Sequence, residues 1–217
     1  DILLRNNVKV VVPPDQNCCG ALYWHAGEGE SARRLARKTL RVFSKSPEII
    51  ISNAAGCGSC LQEYPLILKG DDQEAEARGF SSRVQDLSLF LDDVGIKPPP
   101  PTSNPLRVVY QDACHLGHAQ GITKPPRNLL EMIPGVEVIE IAHAEICCGS
   151  AGIYNIEQVD VAEQLGRSKI DEIMAVDPDF VVSANIGCLS QIRCHLPIGP
   201  KRPEVLHLAV FLQRAYD

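Results

Sequence analysis

A Cys-Cys-Gly motif occurs twice in this chain, and its repetition constrains the fold more than any other feature. Cys18-Cys19-Gly20 in the first half recurs as Cys147-Cys148-Gly149 in the second. A run of β-branched residues precedes each motif and predicts a strand, over 8–12 and 136–141. After each motif, apolar residues spaced three and four apart predict a helix, over 32–43 and 161–174.

Further matches follow in the same order. Predicted strands at 49–52 and 180–183 lead to the pairs Gly56-Cys57 and Gly187-Cys188, and segments 86–91 and 207–212 close each copy with a similar apolar pattern. Four matches in one order indicate a duplication. We therefore expect the two halves to superimpose, with Cys19 on Cys148 and Cys57 on Cys188.

A proline-rich segment divides the copies. Residues 98–104 favour an extended, semi-rigid linker, which places one domain at 1–97 and another at 105–217. The second copy opens with a predicted strand at 107–111, followed by Cys114 and a helix at 127–132. The first copy has no counterpart of this opening, which predicts an N-terminally truncated first domain and a fragment of a longer protein.

The alternation of strands and helices predicts an α/β fold with two tandem repeated β/α modules, each a small parallel sheet flanked by helices. In such sheets, ligands collect beyond the carboxyl ends of the strands. Cys114, Cys147-Cys148 and Cys188 each follow a predicted strand and should meet at one edge.

Nine cysteines in a chain of 217 residues require an explanation. Buried structural thiols would explain isolated cysteines, but these are clustered. Disulfides are disfavoured by the odd count and by the absence of an export signal. Thiolates are soft ligands that suit iron–sulfur clusters, zinc or Cu(I). The candidate ligands form two sets: Cys18, Cys19, Cys57 and Cys60 in the first copy, and Cys114, Cys147, Cys148 and Cys188 in the second.

Two weaker candidates lie near these sets. The position of Cys60 is occupied by Gln191 in the second copy, and we interpret Cys194 as a spare thiol pointing away from the site. His115 and His118 follow Cys114 closely and could complete a zinc site, although a histidine beside a site more often donates a hydrogen bond.

Composition excludes several classes of function. The net charge of -6, from 21 Lys and Arg against 27 Asp and Glu, argues against a nucleic-acid partner. No apolar run is long enough to span a bilayer, and no secretion signal is visible. The glycine-rich stretches match neither a dinucleotide-binding nor a P-loop fingerprint.

The combined motifs resemble the cysteine-rich, or CCG, domain family over essentially the whole chain. The family includes the iron–sulfur subunit of glycolate oxidase, lactate-utilisation iron–sulfur proteins and the cysteine-rich subunit of heterodisulfide reductase. The segments that carry the resemblance are 18–22 with His25, 112–122, 147–152 and 185–189. In the family, the first module also has an upstream cysteine, which this chain lacks.

The resemblance implies an oxidoreductase subunit with iron–sulfur clusters, of the 4Fe–4S type, held by the eight cysteines. Partner subunits containing flavin would oxidise glycolate, and this subunit would pass the electrons to a quinone or another acceptor. A ferredoxin-like region would precede these domains in the parent chain. The expected location is the cytoplasm or, through the complex, the inner face of the cell membrane. Alone, the fragment should not turn over. The alternatives are a non-redox zinc-binding structural module and a heterodisulfide-reductase-like cluster subunit.

Overall fold

The computed structural model describes residues 1–43, 48–200 and 202–217. The helices Gly29–Phe43 and Val159–Ala175 confirm those predicted after each Cys-Cys-Gly motif. The first half contains α1 (Ile2–Arg5), α2 (Ala21–His25), α3 (Gly29–Phe43), β1 (Ile50–Ser52), α4 (Ala55–Gln62), α5 (Tyr64–Ile67), α6 (Glu74–Ser81), β2 (Val84–Asp86) and α7 (Leu87–Val94). The second contains β3 (Leu106–Tyr110), a π-helical turn (His115–Ala119), α8 (Lys124–Glu131), β4 (Val136–Ile139), α9 (Tyr154–Glu157), α10 (Val159–Ala175), β5 (Phe180–Ser183), α11 (Ile186–His195), β6 (Glu204–His207) and α12 (Leu208–Tyr216).

Each half has a parallel sheet. The second half has four strands in the order β4-β3-β5-β6, and the first half pairs β1 with β2. The pair β1-β2 corresponds to β5-β6 in the repeat, since Ile50 pairs with Val84 as Val181 pairs with Val205. This arrangement confirms the predicted α/β class, with small parallel sheets flanked by helices.

The strand predicted over 8–12 is wrong. These residues form no strand, and the side chains of Val11 and Val12 are 75% and 68% exposed. The corresponding strand of the second half, β4, is an edge strand that pairs with β3. Within the residues that the structure describes, the first half has no segment equivalent to β3, so residues 8–12 lack the neighbour whose backbone groups would satisfy theirs.

The two halves share a hydrophobic core. Ile2, Leu91 and Ile96 from the first half pack in one cluster with Val108 and Leu130 from the second. The proline-rich segment is also attached to the second half, because the Thr102 backbone N–H donates to the Pro134 carbonyl at 2.9 Å. The domain boundary at 98–104 stays a prediction, but the segment joins halves that pack against each other.

The last helix of each half begins in the same way, with a side chain accepting from a backbone N–H of its first turn. Asp86 accepts from the Ser88 N–H at 2.8 Å, and His207 Nδ1 accepts from the Ala209 N–H at 3.1 Å. His207 Nε2 also lies 2.7 Å from the Asn53 carbonyl oxygen, and so bonds the second half to the first. Both residues are N-caps, whose loss destabilises a helix.

In the parts of the chain described here, no helix combines the length and the apolar character needed to cross a membrane.

Candidate metal centre

Both Cys-Cys-Gly motifs bend the chain at their glycine. Gly20 and Gly149 each have φ near +90°, a left-handed conformation that glycine adopts without the steric cost of a Cβ. The bend lets two consecutive cysteines face one region instead of opposite sides. Gly149 also lies against α10, since a Cβ there would be 2.4 Å from the Ala162 carbonyl oxygen, whereas one on Gly20 would be 3.5 Å from Ala32.

The first cysteine set brings the bend together with the start of α4. Cys57 and Cys60 lie on that helix, and the Cys60 thiol donates to the Cys19 carbonyl with an Sγ to O distance of 3.6 Å. The buried hydroxyl of Tyr64 donates to the same carbonyl at 2.9 Å and lies 3.2 Å from Thr39 Oγ1. Tyr64 therefore fixes the position of the first Cys-Cys bend.

The thiols of this set are close enough to share a proton. Hydrogen bonding by Cys57, then by Cys60, lowers the pKa of Cys19 to about 3. The same interactions with Cys19 raise the pKa of Cys57 and of Cys60, and burial raises both further. One thiolate stabilised by neighbouring thiols is the arrangement expected where sulfur is prepared for a positive partner.

The second set is built from two connecting segments and a helix. Cys114 follows β3 at the start of the π-helical turn, Cys147 and Cys148 form the bend, and Cys188 lies in the first turn of α11. Hydrogen bonding by Cys114, then Cys148, lowers the pKa of Cys147 to about 2, and the contact with Cys147 raises the pKa of Cys114. Hydrogen bonding by Cys148 lowers the pKa of Cys188, and the pKa of Cys148 is raised by Cys147 first and Cys188 second.

Nitrogen atoms surround the sulfurs of this second set. The Gly149 backbone N–H donates to Cys147 Sγ at 3.3 Å, and the Asn185 side-chain amide donates to Cys188 Sγ at 3.4 Å. His115 Nδ1 lies 3.5 Å from Cys114 Sγ. Such contacts stabilise negative charge on sulfur.

An ion-pair network braces the loops of the second set. Arg127 donates to both carboxylate oxygens of Asp112, at 2.9 and 2.7 Å, and also to Glu140. Asp112 follows β3 and Glu140 follows β4, so the arginine joins the segments that lead to Cys114 and to Cys147. Hydrogen bonding by Glu140, then by Asp112, raises the pKa of Arg127.

A cavity of about 320 Å³ lies between the two cysteine sets. The rings of His25, from the first half, and His115, from the second, stack in it with centroids 5.3 Å apart. Cys60 is only 1% exposed and lies behind the cavity wall. The cysteines that line the cavity are Cys18, Cys19, Cys57, Cys114, Cys147, Cys148 and Cys188.

The structure thus places the eight candidate ligands in the two predicted sets, and their role as ligands stays a prediction. Within residues 1–43, 48–200 and 202–217, no three His, Cys, Asp or Glu side chains have the arrangement that would hold a single metal ion. The four thiols of each set are the soft donors that an iron–sulfur cluster requires, so the donor chemistry fits such a group. Cys194 and His118 are exposed, and neither lines the cavity.

Sequence reasoning assigned no role to three residues that shape the site, Tyr64, Asp112 and Asn185, although the last two lie in segments that carry the family resemblance. Tyr64 carried no signal, because its role depends on a long-range contact with a carbonyl. Asn185 could have been found by comparing the copies, since Ala54 occupies its position in the first half.

Comparison with known proteins identifies the motifs. The cysteine-rich domain (CCG) family matches residues 1–62 and 108–193. The chain is 38% identical over 187 residues to the probable glycolate oxidase iron-sulfur subunit of Bacillus subtilis (strain 168), covering 85% of this chain and 42% of that protein. It is 30% identical over 213 residues to lactate utilization protein A of Geobacillus kaustophilus (strain HTA426), covering 98% of this chain and 89% of that protein. The chain therefore spans less than half of the first relative and most of the second.

Proposed function

Because the chain belongs to the cysteine-rich domain (CCG) family, we propose that it is the iron–sulfur electron-transfer part of an oxidoreductase complex acting on a 2-hydroxy acid. Relatives named as an iron-sulfur subunit of glycolate oxidase and as a lactate utilization protein support this class of donor. Glycolate is the donor that we propose, following the first of these relatives.

The observation that carries the proposal is the convergence of both cysteine sets on one cavity. Cys18, Cys19, Cys57 and Cys60 would hold one cluster, and Cys114, Cys147, Cys148 and Cys188 a second, each of the 4Fe–4S type. Iron–sulfur clusters, when bound, supply one-electron transfer at potentials set by the surrounding protein. Both sets contribute thiols to this cavity, so centres held by them would be neighbours.

The protein's own residues prepare these sites. The bends at Gly20 and Gly149 turn adjacent thiols to one side, and hydrogen bonding by neighbouring thiols lowers the pKa of Cys19 and of Cys147, which favours the thiolate that a metal ligand requires. Arg127 holds Asp112 and Glu140 together and thereby limits the movement of the loops bearing Cys114 and Cys147. Leu22 and Ile186 contribute apolar side chains to the lining of the cavity.

The hydroxy acid would be oxidised elsewhere in the complex. A cofactor is needed to remove hydride or electrons from a hydroxy acid. We propose that partner subunits supply a flavin, that a ferredoxin-like region accompanies these domains, and that the electrons leave to a quinone at the inner face of the cell membrane.

Replacing Cys148 in the assembled complex tests this proposal. Cys148→Ser should block electron flow to the terminal acceptor by at least ~10²-fold, while the substrate reduces the flavin at a nearly normal rate, because flavin reduction precedes the cluster. Rapid-mixing spectroscopy separates the two steps. Cys194→Ser is the matched control and should leave both steps unchanged. Slow flavin reduction with normal onward transfer in Cys148→Ser would contradict the proposal.

A further inference from the structure

The two cysteine sets differ at the residue that precedes the helix bearing Cys57 or Cys188. α4 and α11 both begin after a residue in extended conformation: Ala54, with φ −135° and ψ 112°, and Asn185, with φ −144° and ψ 123°. Each residue precedes a cysteine of its set by three positions, Ala54 before Cys57 and Asn185 before Cys188. The local backbone is therefore the same, but only the second copy has a polar side chain there.

That side chain donates to the cysteine. Asn185 Nδ2 lies 3.4 Å from Cys188 Sγ, and Cys188 is 3% exposed, so water does not replace this donor easily. Asn185 lies between the halves: its Oδ1 would be 3.9 Å from a Cβ on Gly56. The amide is thus held with its oxygen towards the first half and its nitrogen towards the sulfur.

The second cysteines of the two motifs, Cys19 and Cys148, share one kind of backbone donor. The Ala21 backbone N–H donates to Cys19, and the Ser150 backbone N–H donates to Cys148 at the equivalent position. In the first turn of α11, Cys188 accepts a hydrogen bond from the side-chain amide of Asn185. In the first turn of α4, Ala54 has only a methyl group and cannot donate to Cys57. At this position, therefore, the backbone is shared and the side-chain amide of Asn185 is the difference between the two sets.

We propose that Asn185 is a positioning residue that raises the reduction potential of the second centre and so biases electrons towards it. The inference rests on the proposed function, since it assumes a cluster at each set. A hydrogen bond to a cluster sulfur stabilises the reduced, more negative state, and hydrogen bonding to the sulfurs is one of the protein's means of setting the potential. With a cluster in each set, the higher potential would make electron transfer from the first centre to the second more favourable, and Asn185 would contribute to that difference.

Exchanging the two residues tests the inference. In the anaerobically purified holoprotein, Asn185→Ala should lower the equilibrium constant for reduction of one centre about tenfold, about 59 mV for a one-electron couple, and leave the other centre unchanged. Ala54→Asn should raise the equilibrium constant for reduction of the other centre by a similar factor. Asparagine suits the N-cap conformation that is already present at this position. A potentiometric titration monitored by electron paramagnetic resonance reads each centre separately.

The control is Asn155→Ala, which removes an amide that donates to Gln191 Oε1 and to no sulfur; neither potential should move. Unchanged potentials in Asn185→Ala, or equal shifts of both centres, would overturn the inference. If Asn185→Ala does not retain its cluster, Ala54→Asn decides alone: a rise confined to one centre supports the inference, and no rise overturns it. A wild-type protein without any cluster would instead contradict the proposed function.

Discussion

The first and second Cys-Cys-Gly modules share a bend and helix caps but complete their cysteine sets from different directions. The first takes its fourth thiol from α4, where Cys60 is buried behind the cavity. The second has Gln191 at that position and takes its fourth thiol, Cys114, from the end of β3, facing the cavity. The two copies therefore share the bend and the caps, whereas their fourth thiols lie on different elements.

The glycines of the two bends give the largest predicted difference. An alanine at either position costs about 1–2 kcal/mol for the left-handed backbone. Gly149→Ala should cost a further ~1–3 kcal/mol, because its Cβ would lie 2.4 Å from the Ala162 carbonyl oxygen, against 3.5 Å for the nearest atom at Gly20. Urea unfolding of Gly149→Ala and Gly20→Ala measures both costs. Equal losses in the free energy of unfolding would contradict the tighter packing of α10 on its bend than of α3.

Tyr64 gives the next largest effect, and it belongs to the first module alone. Tyr64→Phe removes the hydroxyl that donates to the Cys19 carbonyl, and should lower the free energy of unfolding by about 1–3 kcal/mol. His195 occupies the corresponding position of the second module and instead contacts Gln191. Tyr23→Phe is the matched control, since Tyr23 is 46% exposed and its loss should be near zero. If Tyr64→Phe lowers the free energy of unfolding no more than Tyr23→Phe does, the Tyr64 hydroxyl does not stabilise the first bend.

The smallest expected effect concerns the helix caps Asp86 and His207, and it is a change in how the free energy of unfolding depends on pH. Burial lowers the pKa of His207 below its usual 6.5, while Asp86 nearby opposes that shift. As the pH falls below 6.5, the unfolded chain takes up a proton that the folded chain refuses, so this residue's contribution to stability is present above 6.5 and declines below it.

His207→Asn tests this dependence, because asparagine caps a helix without titrating. Between about pH 8 and about pH 5.5, the stability of His207→Asn should fall less than that of the wild type, by under ~1 kcal/mol after solvent screening. Urea unfolding at the two pH values measures it. A decline as steep in His207→Asn as in the wild type would assign the effect to other groups.

The duplication explains how much could be predicted from sequence. The paired motifs predicted the α/β class, the helices at α3 and α10, and the two cysteine sets, because periodicity and repetition are local signals. Residues 8–12 were wrongly predicted as a strand because β-branched composition indicates only that a segment suits a sheet; whether it forms one depends on a neighbouring strand. Here that neighbour has no counterpart in the described part of the first half.

The contacts across the halves could not be predicted. The stacking of His25 on His115, the bond from His207 to the Asn53 carbonyl and the cavity between the cysteine sets all depend on how the modules pack. A proline-rich segment indicated a spacer, yet Ile2, Leu91 and Ile96 join the core of the other half. Sequence periodicity describes each module separately and contains no information on this packing.

The central claim is that both cysteine sets hold iron–sulfur clusters, and metal and sulfide content tests it most directly. The protein purified without oxygen should contain iron and acid-labile sulfide in equal amounts, and should show visible charge-transfer absorption. Cys19→Ser and Cys148→Ser should each lose about half of both elements, because each variant disables one site. Zinc without labile sulfide in the wild-type protein would contradict the account.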